Sequence, residues 1–504
     1  MARNKPLFFL VVLSCFALSS CNLHRKTGGG GGGGGGNATV SFTLVADTLP
    51  ANPSILSFNV SITGITLTPA SGTAQTLNPS PSVIDLMRLQ SDTAFLGILP
   101  NVVAGAYTVQ VALANPEITF LNDTPSAIAV GTAMCPSGFV CAANLTAAGT
   151  PTIPSFTFTV NSMGQQGIGI DFNLKNAISL SAGTLSVNFN PSSPNPGVLS
   201  AVALPKTNAN LGANQLDLIE DFSGVVAING SSVTITSPTR GVLATTSTSA
   251  TFFDHSPDGT LCSAPATIAC VASGQIASVD AFLKSDGTFD LKEFEPLNQT
   301  QQDFVEGIVN AVNTPTQFVI TVTDKVQLAT NSLISGLKTG DLLTVNISTN
   351  PIAQPFFVDT KGLAVPVGSL GLFQNQSDTS AIHPGQTMAV HPTAFVAAIG
   401  TTPAIVTVDT VTLRWSRLTA SAVSSTTQLL NVTALPSYFN FASSSQFAVQ
   451  LFVGTPGTQG VTNFDGVTDG SGIIAKPVSV RVLFLENVGN TASPAFFAAK
   501  VRQD

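Results

Sequence analysis

Charge is what this chain has least of. Lys, Arg, Asp and Glu make up 9% of its 504 residues, against about 25% in an average soluble domain. The net balance is acidic, at -8. No basic stretch interleaves with aromatics, which argues against nucleic acid as a partner. Polar aromatics are nearly missing: one Trp and two Tyr stand against 32 Phe. Sugar-binding faces stack pyranose rings on exposed Trp and Tyr, and membrane-spanning β-barrels carry girdles of both. A composition weighted to Phe points to packed cores instead. Only three histidines, His255, His383 and His391, lie beyond the N-terminal segment. No serine sits in a Gly-x-Ser-x-Gly elbow, which speaks against the hydrolases built on it.

The N-terminus carries an address. Arg3 and Lys5 precede an apolar run from Leu7 to Leu18, too short to span a bilayer and of signal-peptide proportions. It ends in Leu18-Ser19-Ser20-Cys21, which resembles the lipobox of bacterial lipoproteins, in which small residues fit the peptidase cleft and the Cys thiol receives the lipid. The resemblance implies cleavage before Cys21 and a diacylglycerol on its sulfur, usually with a third chain on the new amino terminus. Several acyl chains, each worth about 0.8 kcal/mol per buried CH₂, give stable anchoring. Residues 22–37 follow, with glycine at every position from Gly28 to Gly36. Polyglycine buries nothing and keeps full backbone freedom, so this is a tether, with an end-to-end distance of roughly 20–24 Å. Asn22 is not the Asp that, by the same resemblance, retains lipoproteins in the inner membrane. The expected place is therefore the cell envelope, at the outer membrane, facing periplasm or cell surface, with the membrane as a partner through the lipid on Cys21.

Four cysteines remain in the body, in two local pairs: Cys135 with Cys141 and Cys262 with Cys270. Each encloses proline-bearing turn residues, and the exported setting favours disulfides. The competing reading is a four-thiolate metal site, but neither pair has the short spacing typical of zinc. No metal and no cofactor is expected.

Alternation at period two recurs along the mature chain: Val40, Phe42 and Leu44; Leu56 to Ile62; Tyr107 to Leu113; Phe156 to Val160; Ile168 to Leu174; Leu185 to Phe189. Gly, Pro, Asn or Asp bounds each run, so these are half-buried antiparallel strands. A short helix is expected at Ile84–Leu89. Val83-Ile84-Asp85-Leu86, Ala104-Gly105-Ala106-Tyr107-Thr108-Val109 and Ile170-Asp171-Phe172-Asn173-Leu174 resemble a β-sandwich family of unknown function found in lipoproteins of environmental bacteria. The middle piece also resembles the Gly-x-Tyr strand entry of prealbumin-like extracellular domains. Seven or more such strands suffice for one sandwich, read over 38–190, and the resemblance brings no catalytic residue with it. Tyr107 reads as a core residue whose hydroxyl caps nearby backbone.

Residues 191–215 read as a Pro/Ser/Asn-rich linker with one stray strand. A weak repeat follows. Three hairpins, Gly224–Ile228 into Val233–Thr236, Gly307–Val312 into Phe318–Val322 and Ala420–Val423 into Leu429–Val432, each open a unit. The returning segments are Gln275–Val279, Leu342–Ile347 and Val478–Val482. The units are 216–298, 299–416 with an insertion through Gly400, and 417–504, and the first resembles a second lipoprotein β family of unknown function. The fold class is all-β: tandem antiparallel β-sandwich and small β-barrel-like domains behind a lipidated tether.

Candidate chemistry is thin. His383-Pro384 and His391-Pro392 form a conceivable metal pair without a third ligand, and read as loop residues. Ser335-Gly336-Leu337-Lys338 and Lys338-Thr339-Gly340 match motifs of penicillin-recognising enzymes, but in those enzymes the two lie on separate elements. Here they share Lys338, as at a strand end and turn. Asp465 and Asp469 sit in a stretch similar to a calcium loop but with Gly too early, and read as a hairpin turn. Glu293 and Glu295 share a strand face, read as solvated beside Lys292. Two function classes stay open. One is a non-catalytic surface protein, structural, adhesive or binding an envelope polymer, a glycan or another surface protein. The other is a glycan-binding accessory lipoprotein or an atypical hydrolase of the cell envelope.

Overall fold

The computed structural model describes residues 37–47, 54–80, 82–158, 165–191, 197–206, 208, 210–254, 262, 267–298, 303–327, 332–348, 356–400, 402–439, 446–473, 477–485 and 496–503. Cys21 with its leader and tether, Val160 and His255 lie outside the described residues. The fold is all-β: strands carry nearly all the regular structure, and the described α-helices are Leu174–Ala177 and Val367–Gln374.

Two sheets face each other in the N-terminal sandwich. One orders Leu199–Leu204, Gln165–Phe172, Asn37–Ala46 and Ala94–Val103. The other is built on two long strands, Ser54–Pro69 and Gly105–Leu121, paired antiparallel. Alternating Val40, Phe42, Phe58, Val60, Val109 and Val111 fill the space between, all nearly inaccessible. Three expectations change here. Asn37–Ala46 runs parallel to Gln165–Phe172, with Phe42 opposite Ile168. Leu199–Leu204 is no stray strand in a linker but the edge of this sheet, its Ala203 opposite Ile168. The helix expected at Ile84–Leu89 is instead a short strand, Val83–Asp85, and a 3-10 turn, Arg88–Gln90. Asp85 explains it: Oδ1 accepts from the backbone N–H of Met87 (3.0 Å) and of Phe58 (2.9 Å), a local side-chain-to-backbone bond that competes with helix. Tyr107 is buried and its hydroxyl donates to the Val103 carbonyl.

Three closed five-stranded barrels follow. Barrel I comprises Gln215–Asn229, Ser232–Ser237, Gly241–Phe253, Ile276–Lys284 and Phe289–Asn298. Barrel II comprises Phe304–Thr314, Gln317–Val326, Leu342–Ile347, Thr387–Val396 and Ala404–Arg414. Barrel III comprises Ser416–Ser425, Leu429–Thr433, Phe447–Leu451, Pro477–Phe484 and Phe496–Arg502. Each closes in the order 1-2-3-5-4, and in each strands 3 and 5 run parallel, a Greek-key barrel of the OB type. The repeat seen in the hairpins is therefore real at the level of topology, but its second return is misplaced. Leu342–Ile347 is the third strand of barrel II, and the counterpart of Ile276–Lys284 is Thr387–Val396. The insertion, with helix Val367–Gln374, falls between those two strands. Glycine sits at one matching point of the first strands. A Cβ on Gly224 would come within 2.4 Å of the Thr236 carbonyl oxygen, and one on Gly307 within 2.5 Å of that of Thr321. Strands 1 and 2 coil against each other too closely there for any side chain.

The barrels are not beads on a string. Leu483, Leu485 and Phe497 of barrel III complete the core of barrel II, while Leu56 of the sandwich and Ile308 of barrel II enter the core of barrel III.

The structure contains both local disulfides, Cys135–Cys141 and Cys262–Cys270. The first ties strand Ala133–Cys135 of a small outer sheet to strand Val140–Asn144 of the main one. Closing a loop of this length removes about 2–3 kcal/mol of unfolded-state entropy. Cys135→Ser with Cys141→Ser is expected to lower stability by about that amount in urea unfolding; a change below about 0.5 kcal/mol would leave the bridge no structural role.

Candidate functional site

The centre of the body is ionic. A bulge in the first strand of barrel I, where Ile219 opposes Ala281 but Phe222 opposes Val279, sets two residues against one and re-aims side chains. Asp221 takes positive φ at that point (51°), which Asp tolerates better than most. Glu220 and Asp221 thereby meet cations of barrel III: Lys500 pairs with Glu220 and Arg481 with Asp221. Lys361, from the barrel II insertion, bonds Asp280 of barrel I at 2.9 Å. Arg502 binds Asp465 at 2.8 Å and donates to the carbonyls of Leu89 and Asp92 in the sandwich, each at 2.9 Å.

Arg414, at the end of barrel II, is as enclosed as Lys500 and Arg502, with its side chain 2% exposed. Its Nη1 donates to both oxygens of Glu295 (2.9 and 3.0 Å) and to Asp359, and its Nε to Glu306 at 3.3 Å. Trp415 Nε1 donates to the same Asp359 oxygen at 3.1 Å. Three carboxyls around one guanidinium cannot all ionise cheaply in a dry site. Burial accordingly drives Glu295 well above the usual carboxylate range, with Arg414 opposing and Asp359 reinforcing the rise. Burial raises Glu306 as well, against Arg414. Glu293 is pushed up to about 8, by burial first and in spite of Lys361. For Glu220 burial acts upward, but Lys500 and Arg481 outweigh it and hold the carboxyl well below its ordinary range.

These contacts overturn two readings. Glu293 and Glu295 do share a face, yet that face is covered, at 5% and 2% exposure. Alternation predicts a polar side, not what lies on top of it. Asp465 is not in a hairpin turn; it ends strand Asn463–Asp465, pairs parallel with the last strand opposite Arg502, and is buried. Asp469 caps the 3-10 turn Gly470–Gly472. His391 is no loop residue either. It lies within Thr387–Val396, where the register shifts at Pro392, and bulges are where a strand accommodates proline. His383 lies ahead of that strand, its backbone N–H on Gln386 Oε1 at 2.6 Å. Among the described residues no three His, Cys, Asp or Glu side chains are grouped to hold a metal.

Space for a ligand opens where the sandwich meets barrels I and II. A cavity of about 510 Å³ lies between sandwich residues (Asn59, Asp85, Arg88, Glu117), the turn Pro238–Arg240 joining strands 2 and 3 of barrel I, and barrel II (Thr323, Lys325, Ser335, Lys338). The barrel II portion includes the connection between its own strands 2 and 3, so equivalent connections of two repeats converge on one cleft. Small-molecule sites commonly fall between about 300 and 1,000 Å³. Ser335, Lys338 and Thr339 are thus wall residues: Lys338 pairs with Glu117, and the Thr339 carbonyl accepts from Asn59 Nδ2 at 2.7 Å. Arg88, Arg240 and Lys325 belong to no motif in the sequence.

Comparisons with protein-family models, with curated proteins and with solved structures each find no match.

Proposed function

We propose that the chain is a non-catalytic lipoprotein of the cell envelope, anchored at the outer membrane through Cys21, whose rigid body binds a ligand in the cleft between sandwich and barrels. The cleft carries this reading: its walls come from three separate domains, barrels I and II joined by buried ion pairs such as Arg240–Asp324 and the sandwich tied to barrel II by Glu117 with Lys338, which favours recognition over chemistry. The residues with catalytic potential are spent on structure or stand apart, as with Glu295 under Arg414 and Asp465 under Arg502. A pyranose-stacking face has little support. Trp415, Tyr107 and Tyr438 are all buried, at 6%, 6% and 4% exposure, and these are the chain's whole supply of Trp and Tyr. Cys21→Ala is expected to leave the protein unprocessed and in the aqueous phase of a detergent partition; a mutant still processed and still detergent-bound would sink the anchor. The wild-type chain should turn over no ester, glycoside, peptide or phosphate ester, and turnover lost on changing His383, His391 or Asp465 would sink the non-catalytic reading.

A further inference from the structure

We propose that the cleft is an anion site, taking a carboxylate or phosphate group between the guanidiniums of Arg88 and Arg240, on a small molecule that also carries hydroxyls. The proposal rests on the reading of this cleft as a binding site. A chain with only 19 Lys and Arg in all sets four of them, Arg88, Arg240, Lys325 and Lys338, around one cavity, against two lining carboxylates, Asp85 and Glu117. Glu117 is engaged by Lys338.

The remaining cations have acids near them, Asp92, Asp324 and Asp85 around Arg88, but not every donor is engaged. Arg88 reaches Asp92 only at 3.5 Å. Arg240 pairs with Asp324 at 2.8 Å and donates to the Asp221 carbonyl, but its Nε is buried with no partner. Lys325 Nζ donates to neutral oxygens, Gln327 Oε1 at 3.1 Å and the Ile334 carbonyl at 3.3 Å. Arg88 and Arg240 also line a smaller adjoining pocket together. Burial, and next the charge of Arg240, lower Arg88 to about 10, as two like charges facing a shared space require. Planar guanidiniums with free N–H groups match the geometry of carboxylate and phosphate. Beside them, Asp85 Oδ2 and Thr323 Oγ1 are buried without a protein partner. A carboxylate oxygen left over in this way accepts a hydrogen bond from a ligand hydroxyl, which selects a sugar acid, a hydroxy acid or a sugar phosphate over a bare anion.

The test is calorimetric titration of the full-length protein in detergent with glucuronate, glucose 6-phosphate, inorganic phosphate and, as the neutral control, glucose. Saturable binding of glucuronate or glucose 6-phosphate, at least tenfold tighter than inorganic phosphate and tenfold weaker in Arg88→Met, is expected; which of the two binds identifies carboxylate or phosphate as the source. Lys325→Gln, whose ammonium holds no carboxylate in the contacts above, is the second variant if Arg88→Met does not fold, and should weaken binding at least threefold. Binding of glucose alone would keep the cleft as a binding site and overturn its anion assignment. Anion binding unchanged in both variants, or none of the four ligands bound by the folded wild type, would overturn the proposal; the anchor and the absence of turnover are decided separately by the experiments on Cys21 and on activity.

Discussion

Arg414→Met is expected to destabilise the body by about 3–5 kcal/mol, the usual cost of removing one partner from a buried charge cluster. The guanidinium holds Glu295, Glu306 and Asp359 at once, and methionine keeps the volume while offering none of the hydrogen bonds. Two of the three carboxyls already lie above their ordinary range in the folded protein, so they can escape the orphaned state by taking up protons. Asp359 keeps the Trp415 indole and the Lys361 backbone N–H, and should carry most of the penalty. Glu295→Gln added to Arg414→Met should recover part of the loss, because it removes one buried acid from a site that has lost its cation. Trp415, the single tryptophan, adjoins the mutated residue and is hydrogen-bonded to the cluster. Its fluorescence in a urea titration therefore reports the junction directly. A loss below about 1 kcal/mol would show that the cluster contributes little beyond filling space.

The second large effect is on pH dependence, and its sign is unusual. Glu293 rises from an ordinary 4.5 to about 8 in the folded protein, and Glu295 and Glu306 shift in the same direction. Between those limits the folded state holds protons that the unfolded chain has released, so stability falls as pH rises. Each such carboxyl contributes up to about 1.4 kcal/mol per pH unit across the window. Asp92, Glu220 and Asp465 work the other way. Burial disfavours their charge, but the cations beside them prevail and lower all three; the stability they confer is present above the ordinary carboxylate pKa and lost as pH falls below it. The optimum should therefore lie near about pH 5, with a decline toward pH 9. Glu293→Gln should flatten that decline. A urea midpoint that stays level or climbs from pH 5 to pH 8 in the wild type would contradict the assignment.

How far the sequence spoke depends on which interaction wrote the pattern. Period-two runs such as Leu56 to Ile62 announce their strands, because one face meets a core built by the same sheet. The hairpins at Gly224, Gly307 and Ala420 reveal the repeat because each joins neighbours in sequence. The third barrel's counterpart of Gly224 and Gly307 is Ala420, which weakens that signal at its most diagnostic point. What stayed hidden arises between domains. Glu295 and Arg414 are 119 residues apart, and nothing local marks either as buried. Arg88 and Arg240 look like ordinary solvated cations, and only their rarity in so uncharged a chain hints at a purpose. His391 misled in the opposite direction, since a following proline suggests a loop unless a bulge admits it.

Barrels II and III meet almost without a linker. Strand Ala404–Arg414 closes one barrel and strand Ser416–Ser425 opens the next, with the buried Trp415 alone between them. A protease needs an extended, accessible stretch of several residues, and this joint offers none. Nor do the two barrels separate cleanly: Leu483, Leu485 and Phe497 of barrel III complete the core of barrel II, and Ile308 of barrel II enters that of barrel III. Cutting between barrels II and III therefore requires at least one of them to unfold first.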